Sequence, residues 1–173
     1  VQRARLETNG SFGSSITMGT GNAEWQDEDQ DGGFNSQIAQ DTNSSGFSGS
    51  SSMKFTIDTG VAAVAWYKMT NCVVGKTYNA SIRVNSGDSQ TINSAFIGAH
   101  STTLSSAQST DSTNWAFPGE TCAPVEYSNR AVASSIQVNF VPTNTTYYIG
   151  LVVIGTNGHH AFFDDFNVWL ENA

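Results

Sequence analysis

Apolar and polar residues alternate with a period of two in several stretches of the chain. Met53, Phe55 and Ile57 alternate with polar neighbours. Tyr78, Ala80, Ile82 and Val84 alternate with Asn79, Ser81, Arg83 and Asn85, and Ile136, Val138 and Phe140 with Gln137 and Asn139. Each pattern puts one face of a strand in a core and the other in water. A weaker run carries Phe12, Ile16 and Met18. Three runs are continuously apolar or nearly so, from Val61 to Met69, Ile92 to Ala99 and Tyr147 to Ile154, the last expected to be central. A final strand is predicted from about Ala161 to Leu170. Gly75 within Asn71–Lys76, Pro142-Thr143-Asn144 and Asn157-Gly158 mark turns, the last a hairpin signal. Residues 25–52 and 100–124 read as polar loops, and no amphipathic helix or internal repeat is evident. Short strands with regular turn signals predict an all-β fold, a single β-sandwich of jelly-roll topology over residues 9–173, with residues 1–8 a lead-in or linker remnant.

Composition narrows the partners. The 173 residues suit one domain with a real core. Charged residues make up only 13% and the net charge is −8. Seven basic residues are a poor match for a phosphate backbone or an anionic bilayer, so neither nucleic acid nor a membrane surface is an expected partner. No stretch is long and apolar enough for membrane insertion. The chain starts at Val1 without Met, as a processed product or an excised domain would. Neutral ligands, cations or a basic partner fit the acidic balance.

The motifs that could carry chemistry are few. Asp27-Glu28-Asp29-Gln30-Asp31-Gly32 matches the first half of a calcium loop, in which Asp27, Asp29 and Asp31 would converge on one cation. The twelfth position is Ile38, so the loop is not an EF-hand, and a solvated acidic loop is the alternative. Asp164 and Asp165 are neighbours on a strand and should point to opposite faces, unlike a glycosidase pair that must flank its substrate. The structural reading gives Asp165 a metal and Asp164 backbone donors to satisfy. His159-His160 reads as a polar turn. Cys72 and Cys122 are either a disulfide closing a long loop or two separate buried thiols. Nucleophile-elbow, zincin and phosphate-loop motifs are absent from the sequence, which lowers the expectation of an enzyme.

The aromatics suggest a ligand. A sugar ring has an apolar face and a rim of hydroxyls, so its binding calls for a flat aromatic beside amide or charged groups. Trp66, Trp115 and Tyr127 are candidates for the platform, with a place in the core as the alternative for each. Arg83, Gln137 and Asn139 lie on the polar faces of their strands and could line a groove on one sheet. Trp25 and Trp169 are assigned to the structure.

An ordered set of landmarks spans residues 9–170. It comprises Asn9-Gly10-Ser11-Phe12, Trp25, Ser50-Ser51-Ser52-Met53-Lys54-Phe55, Val74-Gly75-Lys76-Thr77-Tyr78, Val138-Asn139-Phe140-Val141-Pro142 and the Asp164-Asp165 strand. This order resembles the non-catalytic carbohydrate-binding modules of families four, nine and twenty-two. The resemblance implies a β-sandwich whose first and last strands share a structural Ca2+, held by the Asp165 carboxylate and by backbone carbonyls near Gly10 and Lys54. Gly13 stands where these modules usually carry a glutamate ligand. The resemblance further implies polysaccharide or cell-surface glycan as the partner and an extracellular or secreted setting beside a larger enzyme. A phage or virion surface protein, in a capsid decoration or tail assembly, is the alternative reading.

Overall fold

The structure is a computed structural model, and it describes residues 25–27, 38–41, 51–57, 62–86, 92–124 and 133–171. Among the described residues, ten strands form two five-stranded antiparallel sheets that pack face to face. In chain order they are β1 (Trp25–Asp27), β2 (Ile38–Asp41), β3 (Ser52–Thr56), β4 (Ala62–Met69), β5 (Tyr78–Ser86), β6 (Ile92–His100), β7 (Phe117–Cys122), β8 (Ser134–Phe140), β9 (Tyr147–Gly155) and β10 (His160–Leu170). One sheet, called A here, has the order β2-β3-β10-β5-β8. The other, sheet B, has the order β1-β4-β9-β6-β7. The predicted all-β sandwich is therefore the fold, and β9 is central as its apolar run implies.

The core forms where the inward halves of the two sheets meet. Trp25 and Tyr67 of sheet B pack against Phe166 of sheet A, with ring centroids 5.1 and 5.0 Å apart from it. Tyr147 of sheet B stacks on Phe140 of sheet A at 5.8 Å. The alternation on β5 and β8 thus buries Tyr78, Ala80, Ile82, Val84, Ile136, Val138 and Phe140, leaving Gln137 and Asn139 exposed.

Three local expectations change. The stretch 25–52 contains β1 and β2, and 100–124 contains β7 and a short α-helix, α1 (Ser106–Ser109). β7 carries Pro118 and Gly119 and lies at a sheet edge, so it shows no alternation to read. Asn157-Gly158 does make a tight turn, with Gly158 at φ +87°. It does not close a hairpin between its flanking strands, because β9 and β10 belong to different sheets. The turn instead bonds to the end of β3, through Gly158 N–H to the Ile57 carbonyl and Ile57 N–H to the His159 carbonyl.

The third change concerns the two aspartates. A β-bulge interrupts the pairing of β10 with β5 between Asp164 and Asn167, and Asp165 adopts a left-handed backbone, φ +54°. An aspartate tolerates that conformation better than most residues. The extra residue resets the phase, so Phe166 and Val168 point inward while Asp164, Asn167 and Trp169 lie on the outward side. Asp165 also reaches outward, to Arg83, so adjacency in sequence does not separate the two carboxylates onto opposite faces.

Candidate functional site

The outward faces of the two sheets differ in what covers them. On sheet B, Trp66 of β4, Gly150 of β9 and Gly98 of β6 stand in one row across the strands. The segment 101–116 leaves β6, crosses this row and returns as β7. It is held together internally. Ser105 and Gln108 form a capping box on α1, Asp111 caps the following 3₁₀ turn (Ser112–Asn114), and the Trp115 indole N–H donates to the Ser109 carbonyl at 2.9 Å. Trp115 lies on the two glycines, where a Cβ at either would strike its ring. It stacks on Trp66 at 4.8 Å and 21°. Trp66 is 0% exposed and Trp115 4%.

That arrangement corrects the assignment of Trp66 and Trp115 as sugar platforms. Each indole covers the other, and neither presents a face to solvent. Two large rings that find each other over a glycine gap remove more apolar area from water than either could alone. The polar composition of 101–116 conceals this, because its single large ring turns inward.

On sheet A the outward face is open over its lower half. Three strands bring their polar residues into rows. Trp169 of β10 stands opposite Asn79 of β5, which stands opposite Asn139 of β8. The next row is Asn167, Ser81 and Gln137. Beyond it Arg83 lies opposite Asp164 on one side and Ser135 on the other. Three predicted residues, Arg83, Gln137 and Asn139, therefore do share one surface. Arg83 is engaged by Asp165, with Nη1 to Oδ2 at 3.2 Å.

The rows also hold residues that were not predicted. Trp169, assigned to the structure from sequence, is half-buried on this face, and its indole N–H donates to Glu171 at 3.2 Å. Its parity with Asn167 was the available signal, hidden by the bulge. Asn79 donates from Nδ2 to Asn139 Oδ1, while its own Oδ1 is buried without a partner. At the sandwich edge, β8 meets β7 in a shallow groove of about 320 Å³ lined by Pro118, Gly119, Glu120, Gln137, Val138 and Asn139. The Gln137 backbone N–H donates to Glu120 there, at 2.9 Å.

The upper half of the same face is covered and polar. Asp164 and Asn85 are 0% exposed, as is Ser52. Both carboxylate oxygens of Asp164, both amide atoms of Asn85 and the Ser52 hydroxyl lack hydrogen-bond partners. Burial pushes the Asp164 carboxyl up to about 7. The charge of Asp165 adds to the rise, and the backbone N–H of Asp165 and the charge of Arg83 oppose it. The backbone N–H of Asp165 does not offset that burial. Asp165 is the ion-paired one. Lys54 lies on this side of β3 with Nζ 5.9 Å from the centre of the Phe162 ring.

Gly10, Asp29, Asp31 and Tyr127 lie outside the described residues, and Asp27 closes β1 opposite Ala65. Among the described residues no three His, Cys, Asp or Glu side chains gather as a metal cluster. No helix there is long and apolar enough to cross a membrane. Cys72 and Cys122 are both free thiols, which overturns their pairing. Cys122 shares a row with Ala95 and Val153, whereas Cys72 lies past the row of Met69 and Tyr147. Val153 and Tyr147 are separated along β9 by roughly 20 Å of extended chain, far beyond the roughly 7 Å limit for bridged Cα atoms. Burial raises both thiol pKa values.

The fold is that of carbohydrate-binding modules. A family 61 module solved with beta-1,4-galactotriose superposes with a TM-score of 0.62 at 10% identity, covering 97% of this chain and 99% of its own. A family 4 module gives 0.58 at 17% identity, with 95% and 99% covered. A family 22 xylan-binding domain from Paenibacillus barcinonensis gives 0.58 at 11% identity, with 88% of each chain covered. No family model and no curated protein matches the sequence.

Proposed function

We propose that this protein is a non-catalytic carbohydrate-binding module that holds polysaccharide on the open lower half of sheet A. One observation carries the location: Trp169, half-buried on the outward face, stands in register with the amides of Asn79 and Asn139. A partly exposed indole offers a surface for the C–H face of a sugar, and amides beside it offer both donors and acceptors to hydroxyls. The structural neighbours that bind galactotriose and xylan support the class of ligand. Their low identity leaves the site to be argued from this chain's own residues. Such a module raises the local concentration of an attached or associated activity on its polymer. An extracellular setting beside a glycan-processing enzyme follows from that role.

Calcium belongs to the same proposal, at the covered half of the face. Asp164, Ser52 and Asn85 are buried oxygen-bearing side chains with unpartnered atoms, and a hard cation seeks such donors. The chemistry of this set fits calcium, with Asp164 in the role that the resemblance gives to Asp165. When bound, the ion would neutralise a carboxylate that burial otherwise disfavours and would tie β3, β5 and β10 together. Affinity electrophoresis against soluble galactan, xylan and mixed-linkage glucan tests both parts. Retardation that is lost in Trp169→Ala, and weakened by a chelator in the parent protein, is the expected result. Retardation unchanged in Trp169→Ala would move the site elsewhere.

A further inference from the structure

The turn between β9 and β10 holds a chemically reactive pair, Asn157-Gly158. The backbone nitrogen of a glycine can attack the side-chain amide carbon of a preceding asparagine, since no Cβ hinders the approach. Every other described asparagine is followed by a residue with a side chain. Thr156, Asn157 and Gly158 are all exposed, and a Cβ at Gly158 would meet nothing within 4 Å. The pair therefore has both the space and the water that its reaction needs.

The fold holds this pair in an unreactive state. His159 N–H donates to the Thr156 carbonyl at 3.0 Å and closes a four-residue turn. Gly158 has φ +87°, while Asn157 is not left-handed, which together define a type II turn. There ψ at Asn157 is about +120°, which swings the Gly158 nitrogen away from the Asn157 side chain. Closing a five-membered ring needs the two on the same side of the Cα–C bond. The nitrogen is also engaged. Its N–H donates to the carbonyl of the buried Ile57 at 2.6 Å, and Ile57 N–H returns a bond to the His159 carbonyl at 2.8 Å. Attack requires loss of that same Gly158 proton, so the bond to β3 must break first.

We propose that Asn157 is a spontaneous modification site, gated by the contact of its turn with β3. While the contact holds, the amide persists. When the turn lifts away, the Gly158 nitrogen gives its proton to water or hydroxide and bonds to Asn157 Cγ. The Cγ–Nδ2 bond breaks, and Nδ2 leaves as ammonia. Water then opens the resulting succinimide at either carbonyl and yields aspartate or isoaspartate. Water is the sole co-reactant, and nothing is oxidised or reduced. Isoaspartate carries the main chain through Cβ and Cγ, which lengthens the turn by one carbon. That moves Gly158 N–H off the Ile57 carbonyl, at the corner where His160 pairs with Thr56. Conversion thus makes the opening of this corner permanent, and it adds a carboxylate to a chain already at −8.

The test ages the full chain in mildly alkaline buffer, folded and in unfolding concentrations of urea. Peptide mapping by mass spectrometry follows the amide-to-acid mass gain at Asn157. The expected result is conversion in the unfolded chain, and conversion slower by about tenfold or more in the folded one. In urea below the transition the folded rate should rise with a slope well under that of global unfolding, as local opening requires. The isoaspartate form, separated by ion exchange, should lose hydrogen-exchange protection at the Ile57 and Gly158 amides. Asn157→Asp, which gains the charge without the extra backbone carbon, should keep that protection.

Equal rates in the folded and unfolded chain would overturn the gating. No conversion at Asn157 in the unfolded chain would overturn the site itself. An isoaspartate form with both amides still protected, or an Asn157→Asp protein that loses them, would overturn the role given to the added carbon.

Discussion

The outward face of sheet B and that of sheet A each carry a tryptophan amid smaller residues, and they end in opposite states. Trp66 is covered because a neighbouring segment brings a second indole, and two glycines opposite each other make room for it. Trp169 stays half-buried because its row partners are amides, which gain nothing from an apolar cover. Whether an outward aromatic becomes core or contact surface is thus decided by what its cross-strand neighbours leave open. A tryptophan in a polar loop is no guide by itself, since the polar residues of 101–116 bond among themselves and free the ring to turn inward.

The contrast predicts different penalties on the two faces. The largest is Trp115→Ala, which should cost about 3–5 kcal/mol of stability. Chemical denaturation should show the fall in midpoint, and carbohydrate retention should persist under conditions where the variant is folded. A Trp115→Ala protein of unchanged stability would mean that sheet B is not closed by stacking.

Next in size is the effect of the buried Asp164. In a chelator, its carboxyl titrates near 7 in the folded protein and near 3.8 when unfolded. The folded state then holds the extra proton between those values. Stability contributed by the protonated form is fully present below about 4 and is lost as pH rises through about 7, on the order of a few kcal/mol in all. Thermal melts from pH 4 to 8 should slope downward, Asp164→Asn should flatten them, and added calcium should raise the melting temperature most at the alkaline end. Melts that respond equally to calcium in Asp164→Asn would place any bound ion elsewhere.

Trp169→Ala should do the reverse of Trp115→Ala. We expect polysaccharide binding to fall by about tenfold or more, equivalent to about 1.4 kcal/mol, with stability lowered much less than on the closed face. A stability loss matching that of Trp115→Ala would make both rings core and erase the contrast. The smallest change should come from Arg83→Met, which removes a partly exposed ion pair to Asp165. About 1 kcal/mol or less is expected, visible as a small midpoint shift.

Much of the architecture was legible along the chain because period-two alternation is a local property. β3, β5 and β8 announce themselves through Phe55, Ile82 and Val138. β7 does not, since an edge strand with Pro118 and Gly119 needs no apolar face of its own. The candidate surface was half legible. Arg83, Gln137 and Asn139 were found because their strands alternate without interruption. Asn79 shares their parity and was passed over, while Trp169 was hidden by the bulge at Asp165, which shifts the phase of β10 midway. The Asn157-Gly158 turn shows the same division. Its backbone geometry follows from glycine's tolerance of positive φ, but nothing local says that the two strands it joins enter different sheets.

By itself, then, the sequence determined the class of fold, most strands and the polar parity of β5 and β8, because each depends on residues within a few positions of one another. Only the tertiary structure decided that Trp66 and Trp115 cover each other, that Cys72 and Cys122 lie apart, that Asp164 is the fully buried carboxylate, and that Trp169 stands beside Asn79. Each of these is a contact between residues distant along the chain, fixed by strand order and register that no local pattern encodes.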